Sequence, residues 1–527
     1  MISEWIDKQA ARQGEAVYLQ DAREERTVTY AGLRAAAAAW IRRLDEAGLP
    51  PGTPVAVRLA DPLDYATALV ALIAAGRVAV PLDPQAPPAD LARVLDVARP
   101  AAVVAEDPFG IPSSPGGTTP RTPRVMPVLR PEPAGAPRPG AEPDLPLPDG
   151  WLVGAGRVVG RGGLVGETRP GRDSGGIYLC TSGTTGTPKG ILLSEEQLAH
   201  VAASVASAHG IGGGDRGYCS LPLFHVNAEV VGLLATLSAG AYLAVDRKFS
   251  RRGFWEMISQ LQVTWINAVP AIISILAMDP PAAPVHGVRF VRSASAPLPR
   301  AALERFEKAF GIPIVETYGM TEAASMITAN PVDGVRKPGS AGLPAGTEVR
   351  VVTVSEMGAV TECGPSEIGR VQIRGPGVIT AYASGGRPGV ISPEGWLDTS
   401  DLGYLDADGY LFLAGRSDDV INRGGEKIYP REIEELLIAQ PGVKSAAVVG
   451  APDDVLGEQP VAWVVPASGE FAASDLEAVL RDACSADLPR HKRPGAYFVV
   501  DEMPLGPTGK IARRRLKDLA VAGVPRR

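Results

Sequence analysis

Residues Tyr178–Gly190 read YLCTSGTTGTPKG. Small hydroxyl residues (Thr181, Ser182, Thr184, Thr185, Thr187) and two glycines (Gly183, Gly186) stand in front of one lysine, Lys189. Glycines lack a Cβ, so their backbone N–H groups can turn toward a bound anion, while hydroxyls donate further hydrogen bonds and a lysine adds a point charge. Ile177–Cys180 before the loop and Ile191–Leu193 after it read as short strands, and Ser194–Gln197 reads as a capping box that opens a helix. The loop is therefore strand–turn–strand. A Walker A motif would run from strand to helix and demand Gly directly before the lysine, where Pro188 stands. A polar hairpin tip is the bland reading. The density of donors around one lysine favours a phosphate loop.

The surrounding composition narrows the field. At 527 residues the chain has room for two to four structural units. Apolar content of 45% and charged content of 21% are those of an ordinary globular protein. A net charge of −7 gives no reason to expect nucleic acid or an anionic membrane as partner. Cys180, Cys219, Cys363 and Cys484 lie far apart without CxxC spacing, and the histidines form no HExxH pair, which argues against a disulfide framework or a zinc site. The N-terminus has no apolar signal core, and the apolar run near Ala66–Ala75 is too short to span a bilayer. A cytoplasmic protein without a membrane span is the simplest expectation.

Outward from the loop, strand and helix alternate. Thr27–Tyr30, Val55–Leu59 and Val78–Pro81 read as strands separated by helices at Leu33–Leu44 and Tyr65–Ala75, which predicts an α/β core with a parallel, helix-covered sheet. Residues 106–176 break the pattern: 13 of the 49 prolines fall between Pro108 and Pro148, which predicts an exposed, partly disordered excursion. Its Val153–Gly163 run, VGAGRVVGRGG, has the wrong glycine spacing for a dinucleotide fingerprint. Further on, strand Ile314–Glu316 runs into a loop, Thr317–Ala323, at the strand end where open α/β sheets collect ligands. Short alternating strands over 348–415 suggest a small β-barrel or ribbon subdomain. Past Gly415-Arg416-Ser417-Asp418 the chain reads as compact α+β. The expected division is an N-terminal core, 1–415, and a small C-terminal domain, 416–527, on a short hinge.

Three other passages stand with the phosphate loop: ETYGMTE (Glu316–Glu322), the long run Gly395–Glu434 and PLGPTGK (Pro504–Lys510). In this order and spacing the chain resembles the adenylate-forming superfamily of acyl-CoA synthetases, peptide-synthetase adenylation domains and luciferases. The resemblance covers most of the chain and is weakest across 106–176. It implies ATP, Mg²⁺ and CoA: a carboxylate attacks the α-phosphorus of ATP to give acyl-AMP and pyrophosphate, and a thiol then displaces AMP. It also implies roles. Thr181, Ser182, Gly183, Thr184, Thr185, Gly186 and Lys189 would hold the β- and γ-phosphates. In the second loop, Thr317, Tyr318 and Gly319 would lie at the nucleotide, with Tyr318 against adenine. Thr321 would bond the α-phosphate and Glu322 would ligate Mg²⁺. Asp401 would accept the ribose hydroxyls with Arg416 in support, and Ser295, Ala296 and Pro297 would flank adenine and substrate. His225 would gate the acyl pocket. Lys510 would bridge the attacking carboxylate and the ribose–phosphate region. Rotation about Asp418 would then exchange Lys510 for Arg423-Gly424-Gly425, whose glycines leave room for a pantetheine arm. Arg490–Arg493 (RHKR) reads more simply as a solvated basic turn than as a clamp on CoA phosphate.

Two features depart from the superfamily pattern: its usual Thr-Gly-Asp is Thr399-Ser400-Asp401 here, and the Pro/Gly-rich excursion enters the adenylation core directly upstream of the phosphate loop. A further position narrows the substrate. Amino-acid-activating members place an acidic residue where this chain has His225, so a non-amino-acid carboxylic acid is expected: aryl, alkyl or dicarboxylic. The acyl-CoA synthetase reading competes with three others. These are a stand-alone enzyme loading an acyl carrier protein, an enzyme keeping only thioester formation from an acyl-adenylate made by a separate adenylating enzyme, and a non-catalytic acyl-adenylate binder. Lys189, Glu322 and Lys510 together argue against the last. A second copy of the chain, as a homodimer, stays open as a partner. No GxSxG occurs, which removes a serine-hydrolase reading.

Overall fold

The structure, a computed structural model, describes residues 1–105, 124–126, 175–181, 189–278, 287–355, 357–386, 388–467, 473–505 and 511–521. Ser182–Pro188, the Val153–Gly163 run and Lys510 lie outside these residues, as does the rest of 106–176 apart from Arg124–Met126 and Gly175-Gly176.

The N-terminal part is built on two large sheets. One has nine strands in the order Leu343–Pro344, Ser325–Ala329, Ile314–Met320, Phe290–Ser293, Trp265–Ala268, Arg216–Cys219, Tyr242–Val245, Val17–Asp21 and Thr27–Thr29. Its middle strands run parallel. The other has six strands: Arg124–Met126, Ala102–Ala105, Pro54–Arg58, Val78–Pro81, Gly176–Thr181 and Lys189–Ser194. Between the sheets runs the helix Pro62–Ala74. Asp61 caps it by accepting from the N–H groups of Leu63 and Asp64, at 3.1 and 2.9 Å, and Pro62 supplies a φ already suited to the first turn. A helix packed on both sides needs no polar face, and every residue from Pro62 to Ile73 is buried. Leu33, Trp40 and Leu44 of the Tyr30–Glu46 helix close the same core.

Two expectations about strands are corrected here. Thr27–Thr29 is a strand, but it pairs antiparallel with Val17–Asp21 at the edge of the nine-stranded sheet instead of joining Pro54–Arg58. The residues after Glu316 are not yet loop: Ile314–Met320 is one strand, paired with Ser325–Ala329 beyond a tight turn. The 348–415 region is an antiparallel sheet in the order Val360–Glu362, Glu348–Val354, Gly369–Arg374, Leu397–Leu405, Leu411–Arg416. Of the expected barrel or ribbon, the described residues form an open sheet, because Val360–Glu362 is short, exposed on every residue and among the described residues pairs only with Glu348–Val354.

The smaller C-terminal part has its own cores. Alternate residues of Val443–Asp453 and Gly457–Pro466 point to opposite faces, as strand geometry requires. Val448, Ala462 and Val464 meet Ile433, Leu437, Leu476 and Leu480, while Val449, Trp463 and Val465 meet Leu516. Ser417–Asp419, one 3₁₀ turn, links this part to the antiparallel sheet. Among the described residues no helix is long and apolar enough to cross a membrane.

The strands flanking the phosphate loop pair antiparallel from Gly176↔Ser194 to Thr181↔Lys189, which confirms a hairpin. Ser194 and Gln197 form the reciprocal capping box on the Glu195–Ala208 helix. The hairpin is also held from outside. Gly190 N–H lies 3.0 Å from Ser384 O and 3.1 Å from Ser384 Oγ, and Ala383 N–H donates to Gly190 O at 2.9 Å. A Cβ at Gly190 would come within 1.9 Å of Tyr178 Oη and 2.6 Å of Ser384 Oγ, and Tyr178 is buried. Gly190→Ala should therefore lower the urea midpoint by the equivalent of about 1–3 kcal/mol. An unchanged midpoint would show that the clasp is slack.

Candidate active site

Tyr318 lies on the Ile314–Met320 strand, and its hydroxyl donates to Asp401 Oδ2 at 2.5 Å across the boundary between two sheets. Asp401 pairs in register with Arg416, whose guanidinium is 3.5 Å from Asp401 Oδ1. Burial, with the Asp401 charge beside it, raises the Tyr318 hydroxyl well above its ordinary pKa, so it stays a neutral donor. Thr317 Oγ1 donates to Ser293 O at 3.0 Å, which ties this strand to the Ser293–Pro297 passage. Gly319 is demanded by packing: a Cβ there would stand 1.5 Å from the carbonyl oxygen of Ser325. The turn that forces this approach carries Ala324 and Ser325 at positive φ, 48° and 105°.

Glu322, in the short 3₁₀ turn Thr321–Ala323, is 8% exposed and accepts from Tyr382 Oη at 2.9 Å. The ammonium of Lys189 stands over the same tyrosine ring, 5.3 Å from its centre. Tyr382 therefore joins Lys189 of the 176–194 hairpin to Glu322. Its neighbours extend the connection: Ile379 N–H donates to Glu322 O at 2.9 Å, and Gln197 Nε2 to Val378 O at 2.9 Å. Neither Tyr382 nor Ser384 was identified from the sequence, since ITAYASGG carries no charged group and no motif spacing.

Around His225 the site turns polar and buried. His225 packs its ring against Phe224, centroids 4.7 Å apart, just before a π-helix, Asn227–Leu234. Asn227 Oδ1 accepts from Arg292 Nη1 at 2.9 Å and from Asn267 Nδ2 at 3.3 Å, and its Nδ2 donates to Ser295 Oγ at 3.4 Å. Ser295 is exposed, with φ of +74°. Arg292 is 2% exposed, and burial pulls its guanidinium down to about 9. Glu229, two residues along from Asn227, is buried with no hydrogen-bond partner among the described residues. Burial raises it far above the usual carboxylate range, so it is a neutral acid.

Ala296 and Pro297 follow Ser295 in the same passage. Of Thr181 only the backbone is described, paired with Lys189. In the small domain, Gly424 and Gly425 turn at φ of 61° and 94°, with Gly424 N–H on Leu456 O at 2.7 Å and Gly425 N–H on Asn422 Oδ1 at 3.0 Å. Arg423 donates to His491 O at 2.7 Å, and Lys492 pairs with Glu432, so the RHKR turn is partly committed within its own domain. Asp418 is exposed, and its carbonyl accepts from Lys517 Nζ at 3.2 Å. The small domain touches the core through Arg431, which donates to Leu413 O at 2.9 Å.

With this geometry in hand, comparison with known proteins places the chain. The family described as "AMP-binding enzyme" matches residues 6–383, and the "AMP-binding enzyme C-terminal domain" matches 432–510. The chain belongs to the AMP-binding enzyme family, within the adenylate-forming superfamily. Its relatives include a sulfoacetate–CoA ligase of Cupriavidus necator, 41% identical over 66% of this chain and 67% of that one, and an oxalate–CoA ligase of Arabidopsis thaliana, 38% identical over 65% and 67%. Among solved structures, ATP-bound MatB from Rhodopseudomonas palustris superimposes with a TM-score of 0.80 at 26% identity, over 98% of this chain and 99% of that one. The o-succinylbenzoate CoA synthetase of Bacillus subtilis, in complex with its acyl-adenylate, gives 0.77 at 26% identity, over 98% of each.

Two outcomes follow for the site's backbone and its acids. Ser400 holds φ of +62°, a conformation natural to glycine, so Ser400→Gly should stabilise by about 1 kcal/mol in urea unfolding. Burial raises the Glu316 carboxyl from 4.5 to about 7, against the opposing hydrogen bond from Gly339 N–H at 3.0 Å. Between these values Glu316 is protonated when folded and ionised when unfolded, so its contribution to stability falls as pH rises from 4.5 to 7. Glu316→Gln should flatten that slope and unfold at higher urea than the parent at pH 8. An unaltered pH profile would contradict the shift.

Proposed function

We propose that the chain is an acyl-CoA synthetase: it converts a non-amino-acid carboxylic acid and ATP to acyl-AMP and pyrophosphate, then passes the acyl group to CoA with release of AMP. The observation that carries this reading is the convergence of Tyr318, Asp401 and Arg416 beside the Glu322–Tyr382–Lys189 chain. An aromatic ring with a carboxylate at its edge suits adenine and the ribose hydroxyls. A lysine from the phosphate hairpin beside an acidic residue suits polyphosphate with its divalent ion.

Most of the work is positioning and charge neutralisation. Lys189, with Thr181, Ser182, Gly183, Thr184, Thr185 and Gly186, would hold the β- and γ-phosphates, and Thr321 the α-phosphate. Glu322 fits Mg²⁺: it offers a hard oxygen in a half-enclosed site, with Tyr382 holding one carboxylate oxygen in place. The ion would neutralise charge on the phosphates. Lys510 would steady the attacking carboxylate during adenylation. Rotation at Asp418, in the 3₁₀ link between the two parts, would withdraw it and bring Arg423, Gly424 and Gly425 to the pantetheine arm. We take residues 1–415 and 416–527 as the two bodies that move.

The relatives act on sulfoacetate, oxalate and 2-succinylbenzoate, which carry a second anionic group, and on indoleacetate, which does not. The four free cysteines and the use of ATP and CoA fit a cytoplasmic enzyme. The test offers each acid of a panel as free acid plus ATP and Mg²⁺, and again as preformed acyl-adenylate, with CoA in both arms and acyl-CoA read by mass. Product from both arms is expected. Product from the adenylate arm alone would replace the complete ligase with a thioester-forming enzyme fed by another. Lys510→Ala should remove product from the ATP arm by about a hundredfold or more while sparing the adenylate arm. Equal loss in both arms would sink its assignment.

A further inference from the structure

Arg292 sits near the middle of the nine-stranded sheet, with no carboxylate paired to it among the described residues. On one sheet face Cys219, Asn267 and Arg292 are register partners on adjacent parallel strands. The π-helix Asn227–Leu234 covers that face, with Asn227 reaching all the way to Arg292. Among the described residues the hydrogen bonds of the guanidinium are two, both from Nη1, to Asn227 Oδ1 at 2.9 Å and Asn267 Oδ1 at 3.1 Å. Both acceptors are neutral amides, and Arg292 Nε has no partner there. The nearby imidazole of His209 is neutral too, held down to about 3 by burial and by the Arg292 charge. Glu229 offers no remedy: its carboxyl makes no hydrogen bond to any described residue.

A buried cation is retained at a large desolvation cost unless an anion completes it. The local hydrogen-bond chain shows where such an anion would arrive. From Arg292 it passes to Asn227, whose amide nitrogen faces Ser295 Oγ, and Ser295 opens to solvent. His225 and Phe224, half-buried, stand just before Asn227. The guanidinium therefore lies one side chain behind the wall that, on the acyl-CoA synthetase reading, receives the acyl group.

We propose that Arg292 is a specificity-determining residue that recognises a second anionic group, carboxylate or sulfonate, on the tail of a short substrate acid. This rests on the ligase reading. Asn227 acts as the movable cover: it holds the guanidinium through its amide oxygen and yields to the substrate's anion, which binds more strongly through charge-assisted, bidentate geometry. The reacting carboxylate at the other end stays free for adenylation.

Asn227→Asp gives a sharp test, because it places a fixed carboxylate on Arg292 with little change in shape. Malonate, succinate and sulfoacetate are compared with propionate, butyrate and monomethyl succinate, in ATP, Mg²⁺ and CoA, for the parent, Asn227→Asp and Arg292→Gln. Pyrophosphate release and acyl-CoA mass are read. The parent should favour one of the dianionic acids over its uncharged-tail counterpart in kcat/KM by about a hundredfold or more. That ratio should fall below about ten in both variants. The malonate and succinate arms against the sulfoacetate arm show whether carboxylate or sulfonate is the natural tail. A parent that prefers the monoanionic acids, or variants that lose both classes equally and keep the ratio, would overturn the proposal.

A melting experiment separates this failure from that of the ligase reading. Measured over ATP alone, the dianionic acid that shifts the parent most should raise its melting temperature further and leave that of Asn227→Asp unmoved. If no acid releases pyrophosphate, the ligase reading falls, and the melting shift still decides. A shift confined to the parent supports anion capture by Arg292, and equal shifts in parent and variant reject it.

Discussion

One hydrogen bond, from Tyr318 Oη to Asp401, fixes the relation between the two parts of the site. Tyr318 stands on a strand of the large parallel sheet, and Asp401 on the antiparallel sheet that follows. Neither sheet alone supplies both of these residues. A charged acceptor strengthens the bond roughly twofold over a neutral pair, and partial burial shields it from water. Arg416 across the strand pair lies against the other carboxylate oxygen, Oδ1, at 3.5 Å. The geometry that would read adenine and ribose therefore exists before any nucleotide arrives, which lowers the ordering cost of binding.

Much of this was legible in the residues, for reasons that can be named. The phosphate hairpin followed from two short apolar runs, a capping box and Pro188, all local signals. The helices Tyr30–Glu46 and Pro62–Ala74 and the strand Val78–Pro81 followed from periodicity and from length. What failed was what local pattern does not contain. Thr27–Thr29 looks like the first strand of a βαβ series, yet pairing partners are a tertiary matter and it joins the other sheet. TYGM resembles a loop because of its glycine, but that glycine is there to let a neighbouring strand pass at contact distance, and the segment is extended.

The same limit explains the missed site residues. Tyr382 and Ser384 carry no charge and sit among small residues, so nothing in their spacing announces a role. They belong to a segment, 378–384, where three separate pieces meet: Ser384 and Ala383 hold the hairpin at Gly190, Tyr382 and Ile379 hold the Glu322 turn, and Val378 accepts from Gln197 of the capped helix. Arg292 was hidden differently. Within FVRS it reads as one polar residue in a strand, and only the register with Asn267 and Cys219 shows that it faces a covered sheet surface.

Two kinds of unfavourable feature occur near the proposed site, as they do elsewhere in the chain, where Arg99, Gln262 and Ser366 also hold positive φ and Asp21 and Trp40 also bury a polar atom without a partner among the described residues. Ser295, Ala324, Ser325 and Ser400 hold left-handed backbone that glycine would adopt freely. Arg292 and Glu229 are buried ionisable groups without a partner of opposite charge among the described residues. A core selected for stability alone would remove them, since apolar replacement of buried charge is commonly neutral or stabilising. Strain and unpaired polarity persist where surrounding structure enforces them and where a ligand restores what is missing. Tyr318, Asp401 and Arg416 already satisfy one another in the structure, whereas on the proposed reading Arg292 is completed by the anionic tail of a particular acid.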